Sequence, residues 1–157
     1  MRKLIINQGS QNVSPTNLNW LDLEPLAQVE VTSEEVNHPI ESALMPGRGA
    51  GWRAARPGEQ IIRLLFDKPL KIRRIHLLFC EDQQERTHEF VLRWSPDRGQ
   101  SYRDIVRQQY NFSPLGATRE MEDYRLDLDG VTALELRILP DIRGGGACGS
   151  LAELFLA

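Results

Sequence analysis

Cysteine, histidine, tryptophan and lysine are all scarce in this chain of 157 residues: 2 Cys, 3 His, 3 Trp and, among 19 basic residues, only Lys3, Lys68 and Lys71 as lysines. Two thiols, Cys80 and Cys148, are too few for a disulfide framework and read as unpaired. No apolar run approaches the roughly 20 residues of a membrane-spanning helix. Leu4-Ile5-Ile6 stops at Asn7 and Gln8, short of the about 7–15 apolar residues of a signal sequence, so the expected location is cytoplasmic. An excess of positive charge is missing too: the net charge is −3 and the pI about 5.6, which disfavours a nucleic-acid partner. There is no Gly-x-Ser-x-Gly elbow, His-Glu-x-x-His pair, phosphate loop or Cys/His metal cluster, and His76 and His88 read as strand-surface residues. The expectation is a protein that is not an enzyme.

What the chain does contain is alternation. Phe90, Leu92 and Trp94 alternate with Val91, Arg93 and Ser95; Tyr124, Leu126 and Leu128 with Arg125, Asp127 and Asp129; Leu134, Leu136 and Ile138 with Glu135 and Arg137. Period two is the mark of a half-buried strand. Similar stretches run over 27–32, 61–66, 72–79, 102–108 and 151–156, which makes eight predicted strands. Long helical periodicity is absent, and only 17–26, with Asn17 as a cap before Pro25, suits a short N-terminal helical turn. Short strands without crossover helices predict an all-β, antiparallel β-sandwich of jelly-roll type in a single domain, 1–157, with 1–25 as an extension packed on it.

The connections differ in a regular way. Those after predicted strands two, four and six are short: Asp67 to Leu70, Pro96 to Ser101, and Asp129-Gly130. Those after strands one, three, five and seven are longer: Ser33 to Glu59, Glu81 to Arg86, Gln109 to Met121, and Pro140 to Ser150. If successive strands alternate direction, every long loop gathers at one end of the sandwich. Long ordered loops on a rigid scaffold are where binding sites usually lie.

Val29 to Thr32, the Gly-rich loop ending in Gly51-Trp52-Arg53, Gln60 to Leu64, Pro69 to Ile75 and Leu151 to Leu154 follow one another in an order that resembles the discoidin-type, galactose-binding-like jelly roll. The resemblance covers 26–157. It implies eight strands, relatives among carbohydrate-binding modules, and a Trp52 packed under its loop. Such modules often tie the first long loop to the last strand with calcium. Glu153 matches the C-terminal ligand, but Ala43-Leu44-Met45-Pro46-Gly47 lacks the loop Asp, so calcium or a cation such as Arg48 could partner Glu153. The stretch from Gly51 to Glu59 also resembles the N-terminal domain of a single-strand-break DNA repair scaffold.

At the loop end, Tyr110 and Phe112 offer rings, unless one of them plugs the barrel end as core, and Gln109 and Asn111 offer amides. That mixture suits sugars, whose C–H faces stack while their hydroxyls bond. Arg53 either projects into the end cleft or bonds loop carbonyls. Arg86, behind the acidic turn with Glu81 and Asp82, is open to being held rigid by them. His38, Asp141 and Arg143 complete the rim. The expected function is a noncatalytic module for a carbohydrate or related polar small molecule. The alternative is an intracellular protein-interaction or scaffold domain, with gapped DNA a weaker variant resting on Arg48, Arg53 and Arg56.

Overall fold

The computed structural model describes residues 19–47 and 49–157, so Asn17 and Arg48 lie outside the described residues. In chain order the elements are β1 (Ala27–Val31), α1 (Glu41–Leu44), β2 (Trp52–Arg53), β3 (Gln60–Cys80), β4 (Arg86–Ser95), β5 (Arg103–Phe112), β6 (Arg119–Leu139), β7 (Ser150–Leu151) and β8 (Glu153–Leu156). Every strand pairing among them is antiparallel. The main sheet runs β1-β3-β6-β4-β5, with β8 on the second half of β3, and β2 with β7 forms a separate ribbon.

Two of the predicted turns are bends inside continuous strands. β3 contains both 61–66 and 72–79, and β6 contains both 124–128 and 134–138. The reason is visible in the register, which shifts between Leu65 and Leu70 and again before Ile72. Pro69 has no N–H to give a ladder, and Gly130, with φ +69°, takes the left-handed conformation of a bulge. The two irregularities are neighbours, since Leu70 pairs with Val131. Beyond them both strands carry on into the second layer.

The layers meet through side chains. Phe79, on the second half of β3, stacks on Phe90 of β4 at 5.0 Å between ring centroids, although β3 and β4 share no ladder. Ile62, Leu64, Phe66, Leu134, Leu136 and Ile138 fill the interior from the first layer, and Ile75, Leu77, Leu154 and Leu156 from the second. Each such side chain contributes about 1.5–3 kcal/mol by leaving water.

The register also places the loops. β1 pairs Val31 with Ile62, β4 pairs Glu89 with Leu139, and β5 pairs Phe112 with Arg86, so the connections 32–59, 81–85, 113–118 and 140–149 open at one end. Hydrogen bonds join them there: Glu81 N–H donates to the Thr118 carbonyl at 2.9 Å and Ile142 N–H to the Thr87 carbonyl at 2.8 Å. At the other end the Arg98 N–H donates to Thr132 Oγ1 at 2.8 Å. The long loops therefore share one end even though the short connections are partly bends.

The segment expected to form an N-terminal helical turn is described only from residue 19. It makes one turn, in which the N–H groups of Leu26 and Ala27 donate to the Leu23 carbonyl, and the one helical element among the described residues is α1, inside the first long loop. Leu23 is buried and Leu21 N–H donates to the Leu156 carbonyl at 2.8 Å, which fastens 21–23 to β8.

Candidate functional site

The first long loop is anchored at both ends. Gln60, fully buried, accepts the hydroxyls of Thr32 and Ser33 at 2.6 and 2.7 Å. Trp52 is buried beneath the loop and donates from Nε1 to the Ser33 carbonyl at 2.9 Å. Gly51 lets the ribbon close: at φ +78°, a Cβ there would stand 2.6 Å from the Leu151 carbonyl oxygen. Arg53, next along β2, pairs with Ser150, and its main chain bonds both His38 and Glu35.

These anchors build one side of a cleft of about 430 Å³ lined by Glu35, His38, Arg53, Gln83, Gln84, Arg86, Gly146, Ala147 and Cys148. Its walls come from the first long loop, the β3–β4 turn and the 140–149 loop. Behind the wall lies Glu81, a buried carboxylate whose Oε2 is 3.3 Å from Arg86 and 4.0 Å from Arg53. Arg86 is 5% exposed and also donates to the Cys148 carbonyl at 2.9 Å. Glu81 and Arg86 thus form a buried pair, stiff because parting them leaves charge unpaired in a dry place, with Arg53 at its outer edge. Arg53 remains partly exposed, and no hydrogen bond engages its side chain among the described residues.

Of the residues expected at the rim, the fold brings His38, Arg53 and Arg86 together and separates the rest. Phe112 is not a rim ring: it is 2% exposed and packs edge-on against His88 in the core. Tyr110 is half-buried, and its hydroxyl donates to the Arg119 carbonyl at 2.9 Å. Gln109 donates to Glu89 and Asn111 accepts from the Thr87 hydroxyl, so these amides stitch β5 to β4. The chain stays extended to Phe112, which sends alternate side chains to opposite faces, and that is why the four do not converge. Asp141 and Arg143 pair with each other at 3.2 Å and line none of the cleft. Arg56 is tied to the Thr32 carbonyl.

His76 and His88 are corrected as well, since both are buried rather than on a strand surface. His88 lies 2.6 Å from Glu120 across the layers, and burial, helped by the nearby charge of Arg86, pushes it down to about 4. His76 stacks on Phe155 and bonds Glu153 at 2.9 Å. Glu153 lines a second hollow with Ser42, Met45, Gly47, Gly49, Ala152 and Phe155. As a calcium site those residues offer one carboxylate already on an imidazole, one hydroxyl and main-chain carbonyls, a poorer donor set than a hard cation takes. Among the described residues no three His, Cys, Asp or Glu side chains group as metal ligands.

Glu35, Gln83, Gln84 and Cys148 were not singled out as site residues from sequence, and Glu81 was named only with Asp82 as a partner for Arg86. Nothing in the acidic run 81–89 distinguishes the one buried acid from its solvated neighbours. Its place directly after the end of β3 does so only once the loops are assembled.

This is the galactose-binding-like jelly roll, the fold of the discoidin-type carbohydrate-binding modules. The third family 32 module from a family 31 glycoside hydrolase of Clostridium perfringens matches with 18% identity over 87% of this chain and 93% of its own, at a TM-score of 0.64. A pectin-binding carbohydrate-binding module matches with 16% identity over 83% and 89%, at 0.60. The family 32 module of C. perfringens NanJ, in complex with galactose, matches with 14% identity over 83% and 92%, also at 0.60. No family model and no curated protein matches the chain.

Proposed function

We propose that the protein is a noncatalytic carbohydrate-binding module that takes its sugar in the loop-end cleft. The observation that carries this reading is Arg53: a partly exposed guanidinium with its donors open, lining a polar cleft and backed by the buried Glu81–Arg86 pair. Such a group bonds hydroxyls and carboxylates alike, and Glu35, Gln83 and Gln84 supply acceptors and further donors around it. Similarly folded modules bind pectin or are in complex with galactose, which supports a saccharide of that kind. Recognition rests on hydrogen bonds, because among the described residues no Phe, Tyr or Trp lines the cleft and its one ring is the small, polar imidazole of His38.

The test is NMR titration of the protein with neutral and acidic monosaccharides. Amide shifts should move at Arg53, at 83–86 and at 146–148. Shifts confined to Tyr110 and its neighbours, or a silent panel, would overturn the reading.

A protein partner is the second reading, and one observation favours it. Val36 and Leu115 are fully exposed on two of the long loops, and Ile142 is partly exposed on a third. Large apolar side chains on a surface are otherwise unhelpful. Loss of partner capture on Val36→Ser and Leu115→Ser, with sugar binding intact, would support it.

A further inference from the structure

Resting on the reading of the cleft as a sugar site, we infer that the sugar carries a carboxylate, as a uronic acid does, and that Arg53 receives it. Among the described residues no Phe, Tyr or Trp lines the cleft, whose one ring is the His38 imidazole, and both rings expected to stack are placed elsewhere, Phe112 in the core and Tyr110 on the Arg119 carbonyl. Without stacking, a neutral hexose has only neutral hydrogen bonds and bonds to a lone guanidinium to hold it. A carboxylate adds charge-assisted bonds, which are about twice as strong as neutral ones.

The charges of the cleft divide unequally between the two arginines. Glu81 lies 3.3 Å from Arg86 and 4.0 Å from Arg53, and Arg86 also has the Cys148 carbonyl. Arg53 is therefore the less compensated of the two and the more exposed, at 26% against 6% for the side chains. Its backbone is held by the Ser150 pairing and by hydrogen bonds to His38 and Glu35, so the guanidinium is presented from a fixed base. A carboxylate matches two of its N–H groups at once, which adds geometry to charge. Glu35, the acid on the cleft wall, opposes a second anionic group there and takes sugar hydroxyls instead.

Calorimetric titration of the full chain with D-galacturonic acid, D-galactose and D-galactose 6-sulfate, each at low and high salt, tests this. D-Galacturonic acid should bind about tenfold tighter than D-galactose, and the advantage should shrink in salt. Arg53→Gln should abolish the advantage, Arg53→Lys should recover part of it, and Glu35→Gln should enlarge it. Arg125→Gln, on the far part of β6, should change nothing. Equal affinity for galacturonic acid and galactose would overturn the carboxylate inference and leave the sugar module standing. Sulfate binding as tight as carboxylate would overturn the assignment of the anionic group as a carboxylate. No binding of any of the three would overturn both the inference and the function it rests on.

Discussion

His88 Nε2 and Glu120 Oε1 meet at 2.6 Å across the two layers of the sandwich, with both residues almost fully buried. They belong to a polar seam along the side of the fold where β5 faces the first half of β6. Gln108 donates to both Glu120 and Glu122, and the Tyr124 hydroxyl donates to Gln108. Two carboxyl groups bridged by one amide nitrogen do not both ionise easily. Burial, then the hydrogen bond to Glu120 and its charge, push Glu122 up to about 7.

The seam makes stability depend on pH with a definite sign. The folded Glu122 value lies above the ordinary 4.5, so its contribution is fully present below 4.5 and is lost as pH rises through about 7. Glu122→Gln cannot lose a proton there. The unfolding free energy of wild type relative to Glu122→Gln should fall between pH 4.5 and about 7 and stay level above, in urea melts across that range. A difference that is flat or rises with pH would show that the pair shares no proton.

His88 acts in the opposite direction. Its folded value of about 4 lies below the ordinary 6.5, so folding is penalised as pH falls from 6.5 towards 4. Wild type minus His88→Gln should therefore rise across the same interval in which wild type minus Glu122→Gln falls. Parallel slopes for the two variants would contradict a neutral, buried imidazole.

Glu81 should matter to stability out of proportion to its place on a turn. Removing it in Glu81→Ala leaves the Arg86 guanidinium, 5% exposed, without its acid. Stranding one partner of a buried pair typically costs about 3–5 kcal/mol. Denaturant melts should show a loss of that order, with Asp82→Ala, on the adjacent residue, near neutral. A cost for Glu81→Ala below about 1 kcal/mol, the range of exposed pairs, would mean that Arg86 is satisfied without it.

Gly51 and Gly58 separate two costs of adding a methyl group. Both have positive φ, +78° and +89°, but a Cβ at Gly58 meets nothing within 4 Å, while one at Gly51 stands 2.6 Å from the Leu151 carbonyl oxygen and 2.8 Å from the Ala152 Cα. Gly58→Ala should cost about 1–2 kcal/mol for its backbone conformation alone. Gly51→Ala must add the parting of β2 from β7, and so should lower Tm further and weaken any ligand held by Arg53. Equal melting temperatures for the two would mean the ribbon yields freely.

Alternation made the strands legible, because inward and outward residues differ in polarity along Ile61 to Phe66 or Leu134 to Ile138. It could not show that Ile72 continues the strand of Phe66, since Asp67-Lys68-Pro69 reads the same as a hairpin turn and as a bulge. The gathering of long loops was legible because strand direction survives that ambiguity. The site was less so. Arg53 and Arg86 stand out as arginines at loop boundaries, and the acidic turn pointed to Glu81 or Asp82 as the partner of Arg86, but that Glu81 is the buried one, and that the Cys148 carbonyl, 62 residues beyond Arg86, completes the pair, has no local sign in the chain. Glu135 is similar: a strand position that alternates outward, yet 1% exposed because Arg63 and Arg93 on both neighbouring strands close over it.

The two rings of β5 provide the last test, since period two placed them on one side and only burial tells them apart. Phe112 lies among Phe79, His88 and Ile138 around a hollow of about 10 Å³, with Glu81 and Arg86 at its polar end. Phe112→Ala opens that packing, and large-to-small changes of this kind cost about 3–5 kcal/mol. It should also loosen the pair that backs the cleft, so sugar affinity should drop with stability. Tyr110→Phe keeps the ring against Phe112 and removes one hydrogen bond to a carbonyl, a loss of about 0.5–1.5 kcal/mol. Its sugar affinity should equal that of wild type, because the hydroxyl is bonded to Arg119 outside the cleft. Selective loss of binding in Tyr110→Phe, with stability unchanged, would return the site to the β5 end and take Arg53 out of it.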